Sequence, residues 1–126
     1  MEEKVHLLLD SANCALNAVP VLLQNGMSKD ATNRIYNAML YGAQALLCTC
    51  GIEGEKPSAI ESDLDDLFAK TGKMDRAFLR LLTHARKFWE YVDRGPARSG
   101  IRPLFDLTLD DAQKFVDEMK RLIPQP

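Results

Sequence analysis

A chain of 126 residues with 46% hydrophobic and 27% charged residues is long enough to bury one core, and its balance excludes wholesale disorder or a fibrous repeat. A formal net charge of −2 excludes a protein that coats nucleic acid through bulk charge, so any nucleic-acid contact has to be local. No apolar run approaches the roughly 20 residues of a bilayer span, and the N-terminus MEEKVHLLLDSANCAL is acidic where a secretory signal is basic, so the chain reads as cytoplasmic with no membrane role.

From Val5 to Leu23 the apolar positions Val5, Leu8, Leu9, Ala12, Leu16, Val19, Leu22 and Leu23 recur at three and four, the stripe of an amphipathic helix. Pro20 lies inside it and predicts a kink or two helical pieces, with Asn25 and Gly26 ending the segment. Ser28 is the expected N-cap of a second helix carrying Ile35, Ala38, Met39, Gly42, Ala45 and Leu46, which Gly51 stops. The small residues Ala38, Gly42 and Ala45 on one face would let another helix approach closely, so this helix is expected to be central.

Ser58 and Glu61 have the spacing of a capping box and predict a short third helix to about Lys70, ended by Thr71 and Gly72. Asp75 can cap a fourth helix whose apolar positions are Phe78, Leu81, Leu82, Ala85, Phe88, Trp89 and Val92. Residues Arg94 to Leu107, RGPARSGIRPLFDL, carry two glycines and two prolines and no helical period, which predicts a long loop. Thr108, Asp110 and Asp111 mark the start of a last helix with Ala112, Phe115, Val116, Met119, Leu122 and Ile123 as its stripe. Short connections favour antiparallel neighbours, so the expected fold is all-α: an up-and-down four-helix bundle with an additional short helix, a single domain over residues 1–126 with the loop at 94–107.

Cys14, Cys48 and Cys50 are an odd number in a chain without an export signal, which argues against a disulfide framework. Cys48 and Cys50 form CxC, and on a helix they face nearly opposite sides, so neither a metal nor another cofactor is predicted. No P-loop, GxGxxG or HExxH is present.

The run DATNRIYNAMLYGAQALL (Asp30 to Leu47) with its GI turn, DLFAKTGKMD (Asp66 to Asp75) and the segment Arg86 to Tyr91 resemble the HEPN family of small all-helical domains, in particular its stand-alone prokaryotic branch. The resemblance spans Leu8 to Ile123, and its best signals are the Arg34, Tyr36, Ala38 spacing and the Phe68, Lys70, Thr71, Gly72 turn. It implies a four-helix bundle, a homodimer, and pairing with a small nucleotidyltransferase-type protein in a two-component, toxin-antitoxin type module. It further implies that some members are metal-independent ribonucleases with an arginine followed after four to six residues by a histidine.

This sequence departs from that motif. Tyr91, Val92 and Asp93 fill the permitted positions after Arg86, and the two histidines are His6 and His84. A tyrosine with a pKa of about 10 is a weak base at neutral pH, whereas a histidine is poised for proton transfer. The reading therefore leans toward binding over catalysis: Arg86 can still hold a phosphate with its planar fork of donors, and Tyr91 can stack on a ligand.

The candidate ligand-binding residues are Arg86, Tyr91, Glu90, Arg34 and Tyr36, with RNA or nucleotide as the ligand. Arg86 and Glu90, four apart on one helix face, also have the spacing of an ordinary surface ion pair. Arg94, Arg98 and Arg102 sit where no acidic residue intervenes between Asp93 and Asp106, and are candidate phosphate contacts. Two alternatives stand beside this reading: a weak metal-independent ribonuclease with a degenerate motif, and a purely structural dimerisation module built on the small-residue face of the second helix and the aromatics of the fourth.

Overall fold

The computed structural model describes residues 2–94 and 108–124, and every regular element among them is helical. In chain order these are α1 (Glu2–Gln24), α2 (Ser28–Thr49), α3 (Pro57–Leu64) running into a π-helical turn (Asp65–Ala69), α4 (Arg76–Arg94) and α5 (Leu109–Leu122). Four long helices and one short one make up the expected bundle.

Helix α2 is the axis of the molecule and packs against every other helix; α1 also meets α5, and α4 also meets α3 and α5. The sequence explains this position. Its buried residues, from Ala31 through Cys48, wrap around most of the helix instead of forming one narrow stripe. A Cβ added at Gly42 would lie 3.4 Å from the Met119 side chain and 3.6 Å from that of Val116, so the absence of a side chain there sets how closely α5 approaches. Phe115, Met39, Leu46, Leu47 and Met119 are fully buried in the core, and burying each large apolar side chain stabilises the fold by roughly 1.5–3 kcal/mol.

Pro20 does not divide α1. It faces outward, while Leu16 and Val19 are buried on the helix's inner side, so packing carries the helix across the missing backbone donor. At the exit, Met27 N–H donates to the Leu22 carbonyl (2.8 Å) and Gly26 N–H to that of Leu23 (3.1 Å), a Schellman closure made with Gly26 at φ +70°. Ser28 is the first residue of α2, not its cap: Met27 holds the cap position and makes no side-chain capping bond.

The expectation that no segment approaches a membrane span is corrected at α1, the one described helix long and apolar enough by length and composition to cross a bilayer. In the fold its Val5, Ala12, Ala15, Leu16 and Val19 belong to the core, while Leu7, Val21 and Leu23 remain exposed. At the other end of the chain, α5 begins with a reciprocal capping box: the Thr108 hydroxyl accepts from Asp111 N–H (3.1 Å) and Thr108 N–H donates to the Asp111 carboxylate (3.2 Å).

Of the expected loop, Arg94 is instead the last residue of α4, and the rest, with Arg98 and Arg102, lies outside the described residues. Cys48 is buried as a small hydrophobe in α2, and Cys14 and Cys50 are exposed.

Candidate functional site

The local fold that builds the site begins at α3. Pro57 sits in the first turn, where a missing N–H costs nothing, and Lys56 holds the cap position without a side-chain bond. The Ser58–Glu61 capping box does not form. Glu61, one turn further along, reaches across to α4 instead.

Beyond Leu64 the chain widens into the π-helical turn, closed by Lys70 N–H donating to the Asp65 carbonyl at 2.8 Å. Phe68 and Ala69 are thereby buried. Gly72, at φ +79°, reverses the chain, and the Asp75 carboxylate accepts from Ala77 N–H (2.9 Å) at the start of α4. Arg76 donates to Asp65 at 2.9 Å, so the π-helical turn is tied to the first turn of α4.

Nearly three turns along α4, Arg86 Nε donates to Glu61 Oε2 at 2.7 Å and Arg86 Nη1 to Glu90 Oε1 at 3.2 Å. The other Glu61 oxygen accepts from the Thr83 hydroxyl at 2.7 Å. The Arg86 and Glu61 side chains are only 25% and 14% exposed, so this is a sheltered pair between α3 and α4 and more than a surface contact; Glu90, at 38%, is more open. The hydrogen bond that Arg86 donates to Glu61 is the largest influence on it and raises its pKa above the ordinary arginine value, with burial opposing it.

Behind the pair stands an aromatic wall. Tyr36 on α2 and Trp89 on α4 stack with ring centroids 5.5 Å apart, and Trp89 Nε1–H donates to the Asn33 side-chain oxygen at 2.9 Å. Tyr36 is 3% exposed, and its hydroxyl is buried with no hydrogen-bond partner. Burial, followed by the field of Glu61, pushes its pKa up to about 12; Arg86 pulls the other way and Glu90 adds to the rise. The sheltered group thus comprises one guanidinium, two carboxylates, a buried phenol and a stacked indole.

Of the sequence-predicted residues, Arg86, Glu90 and Tyr36 come together. Arg34 does not join them: it is exposed, and two positions along α2 from buried Tyr36 it faces the opposite side of the helix. Tyr91 is 41% exposed and stands about 140° around α4 from Arg86. Residues 98 and 102 are not among those described, and of Arg94 only the helical backbone is. Sequence reasoning missed Glu61, Thr83, Trp89 and Asn33 as site residues; the i, i+3 relation between Thr83 and Arg86 on one helix face was a usable signal, whereas the partner across the bundle was not.

An all-helical bundle that converges an arginine, carboxylates and aromatics on the flank of its fourth helix defines the class, and the comparisons give the family. The HEPN domain profile matches residues 5–124, and the chain belongs to that family. It is 23% identical over 128 aligned residues, 99% of this chain and 92% of the other, to a Methanocaldococcus jannaschii protein whose name calls it a candidate toxin. It is 30% identical over 115 residues to a UPF0332 protein of Thermotoga maritima, covering 84% of this chain and 86% of that one. A UPF0332 protein of Pyrococcus horikoshii is 34% identical over 71 residues, 56% of this chain and 50% of that protein.

Proposed function

We propose that this protein is the toxin-like HEPN component of a two-component module and acts by binding RNA or nucleotide phosphate at Arg86. In this reading it works in the cytoplasm as a single-domain homodimer, with a nucleotidyltransferase-type protein as its partner. The name of the Methanocaldococcus jannaschii relative supports the toxin-like role.

The observation that carries the reading is the setting of Arg86. A planar fork of donors sits one quarter exposed at the edge of a stacked tyrosine–tryptophan pair, so a phosphate and an adjacent ring can be held together. Binding fits the residues better than proton transfer does. The buried tyrosine of the cluster holds its proton to about pH 12, so it is no base at neutral pH.

A gel-shift titration of a short single-stranded RNA tests this with wild type and Arg86→Ala at low and moderate salt. Saturable binding that weakens with salt and falls at least about tenfold in the variant is expected. Equal binding by both proteins would remove Arg86 from the site.

A further inference from the structure

The cluster holds one guanidinium against two carboxylates, so its formal charge is negative where a phosphate would need it positive. Arg86 is engaged in its own ion pairs at 2.7 Å and 3.2 Å, and Glu61 is the more deeply sheltered of the two acceptors, further fixed by the Thr83 hydroxyl. A phosphate approaching Arg86 therefore meets two costs: it must compete with Glu61 for the same donors, and it must sit beside a carboxylate that repels it. Within the field of these three charges lies the Tyr36 hydroxyl, a buried donor that no protein acceptor uses.

We propose that Glu61 is an internal counter-anion that restrains ligand binding at Arg86: an incoming phosphate displaces Glu61 from the guanidinium, and affinity is set by that exchange. The proposal rests on the phosphate-binding reading above and adds its regulation. It makes an unusual demand, that removing a residue which holds the site together strengthens the site's binding. Neutralising Glu61 while keeping its shape removes the repulsion and weakens the competitor, since an uncharged amide oxygen holds the guanidinium less tightly than a carboxylate does. Glu90, more exposed and on the same helix as Arg86, exerts the same restraint more weakly.

The test titrates a short single-stranded oligouridylate and, separately, inorganic phosphate into wild type, Arg86→Ala, Glu61→Gln, Glu90→Gln and Glu61→Gln/Arg86→Ala, with circular dichroism checking that each is folded. Glu61→Gln should bind about tenfold tighter than wild type, the loss of one close like charge in a partly shielded site, and Glu90→Gln about threefold tighter. The gain should vanish in the double variant. Should Glu61→Gln fail to fold, Glu90→Gln carries the test alone.

Affinity unchanged or lowered in the folded glutamine variants, with Arg86→Ala still weaker than wild type, overturns the restraint and leaves Arg86 as the phosphate contact. Failure of every protein, wild type and glutamine variants alike, to bind either probe overturns the phosphate reading itself and the restraint with it.

Discussion

Trp89 on α4 lies against Tyr36 on α2 with the two rings 5.5 Å apart and inclined by 29°, which fixes the face of α4 that meets the centre of the bundle. Because the same helix carries Arg86 three residues earlier, this stack also sets where the guanidinium sits relative to Glu61 on α3. Packing and site geometry are thus the same interaction seen from two sides.

Trp89→Phe keeps a ring on Tyr36 and loses the bond to exposed Asn33, a loss water offsets, so unfolding by urea should show a cost of about 0.5–1 kcal/mol. Trp89→Ala loses the stack as well. A half-buried indole removed from this wall should cost about 2–3 kcal/mol, somewhat under the value for a fully buried aromatic.

Tyr36→Phe removes a hydroxyl that is buried without a partner, so it should leave stability unchanged or raise it by up to about 1 kcal/mol in the same urea assay. In wild type the tyrosine titrates near pH 12 when folded and near 10 when unfolded. Between those values the unfolded chain has released the proton and the folded chain still holds it, so stability falls with rising pH, by about 1.4 kcal/mol per unit for this one group. Urea midpoints across pH 10–12 should therefore drop more steeply in wild type than in Tyr36→Phe.

Gly42→Ala places its Cβ 3.4 Å from the flexible Met119 side chain and removes a mid-helix glycine. Thermal unfolding should be unchanged or shifted upward, consistent with a gain of up to about 1 kcal/mol from helix propensity. Gly42→Leu has no such room. It should push α5 off α2 and cost more than about 2 kcal/mol.

Most of the fold could be read from the sequence because periodicity reports which face of a helix is buried: the stripes of α1 and α5 and the small-residue contact at Gly42 on α2 are all local patterns. The site was only half legible for the same reason. The pairing of Arg86 with Glu90 is a local spacing, but nothing in the chain says which distant helix supplies Glu61, or that Tyr36 will find Trp89. Glu61 shows the difficulty well. Its spacing from Ser58 satisfied a capping rule, yet the proline-led start of α3 needed no such cap, which left the carboxylate available to Arg86 and Thr83. Arg34 misled in the opposite way, since nearness in sequence to Tyr36 puts it on the other side of the helix.

Thr108→Ala removes the side-chain half of the α5 capping box, leaving the Asp111 N–H without its acceptor. A loss of about 1 kcal/mol is expected by urea denaturation, and Thr108→Ser should restore most of it.

The most direct measurement of the central claim uses the chain's single tryptophan, which stands in the site itself. Emission from Trp89 is followed as a short single-stranded RNA is added to wild type and to Arg86→Ala, with helicity of both checked first. A saturable change is expected in wild type, weakening between about 50 and 200 mM salt and lost in the variant. Equal, saturable changes in both proteins, or RNA binding that leaves Trp89 emission unaltered, would contradict the assignment of the ligand to Arg86.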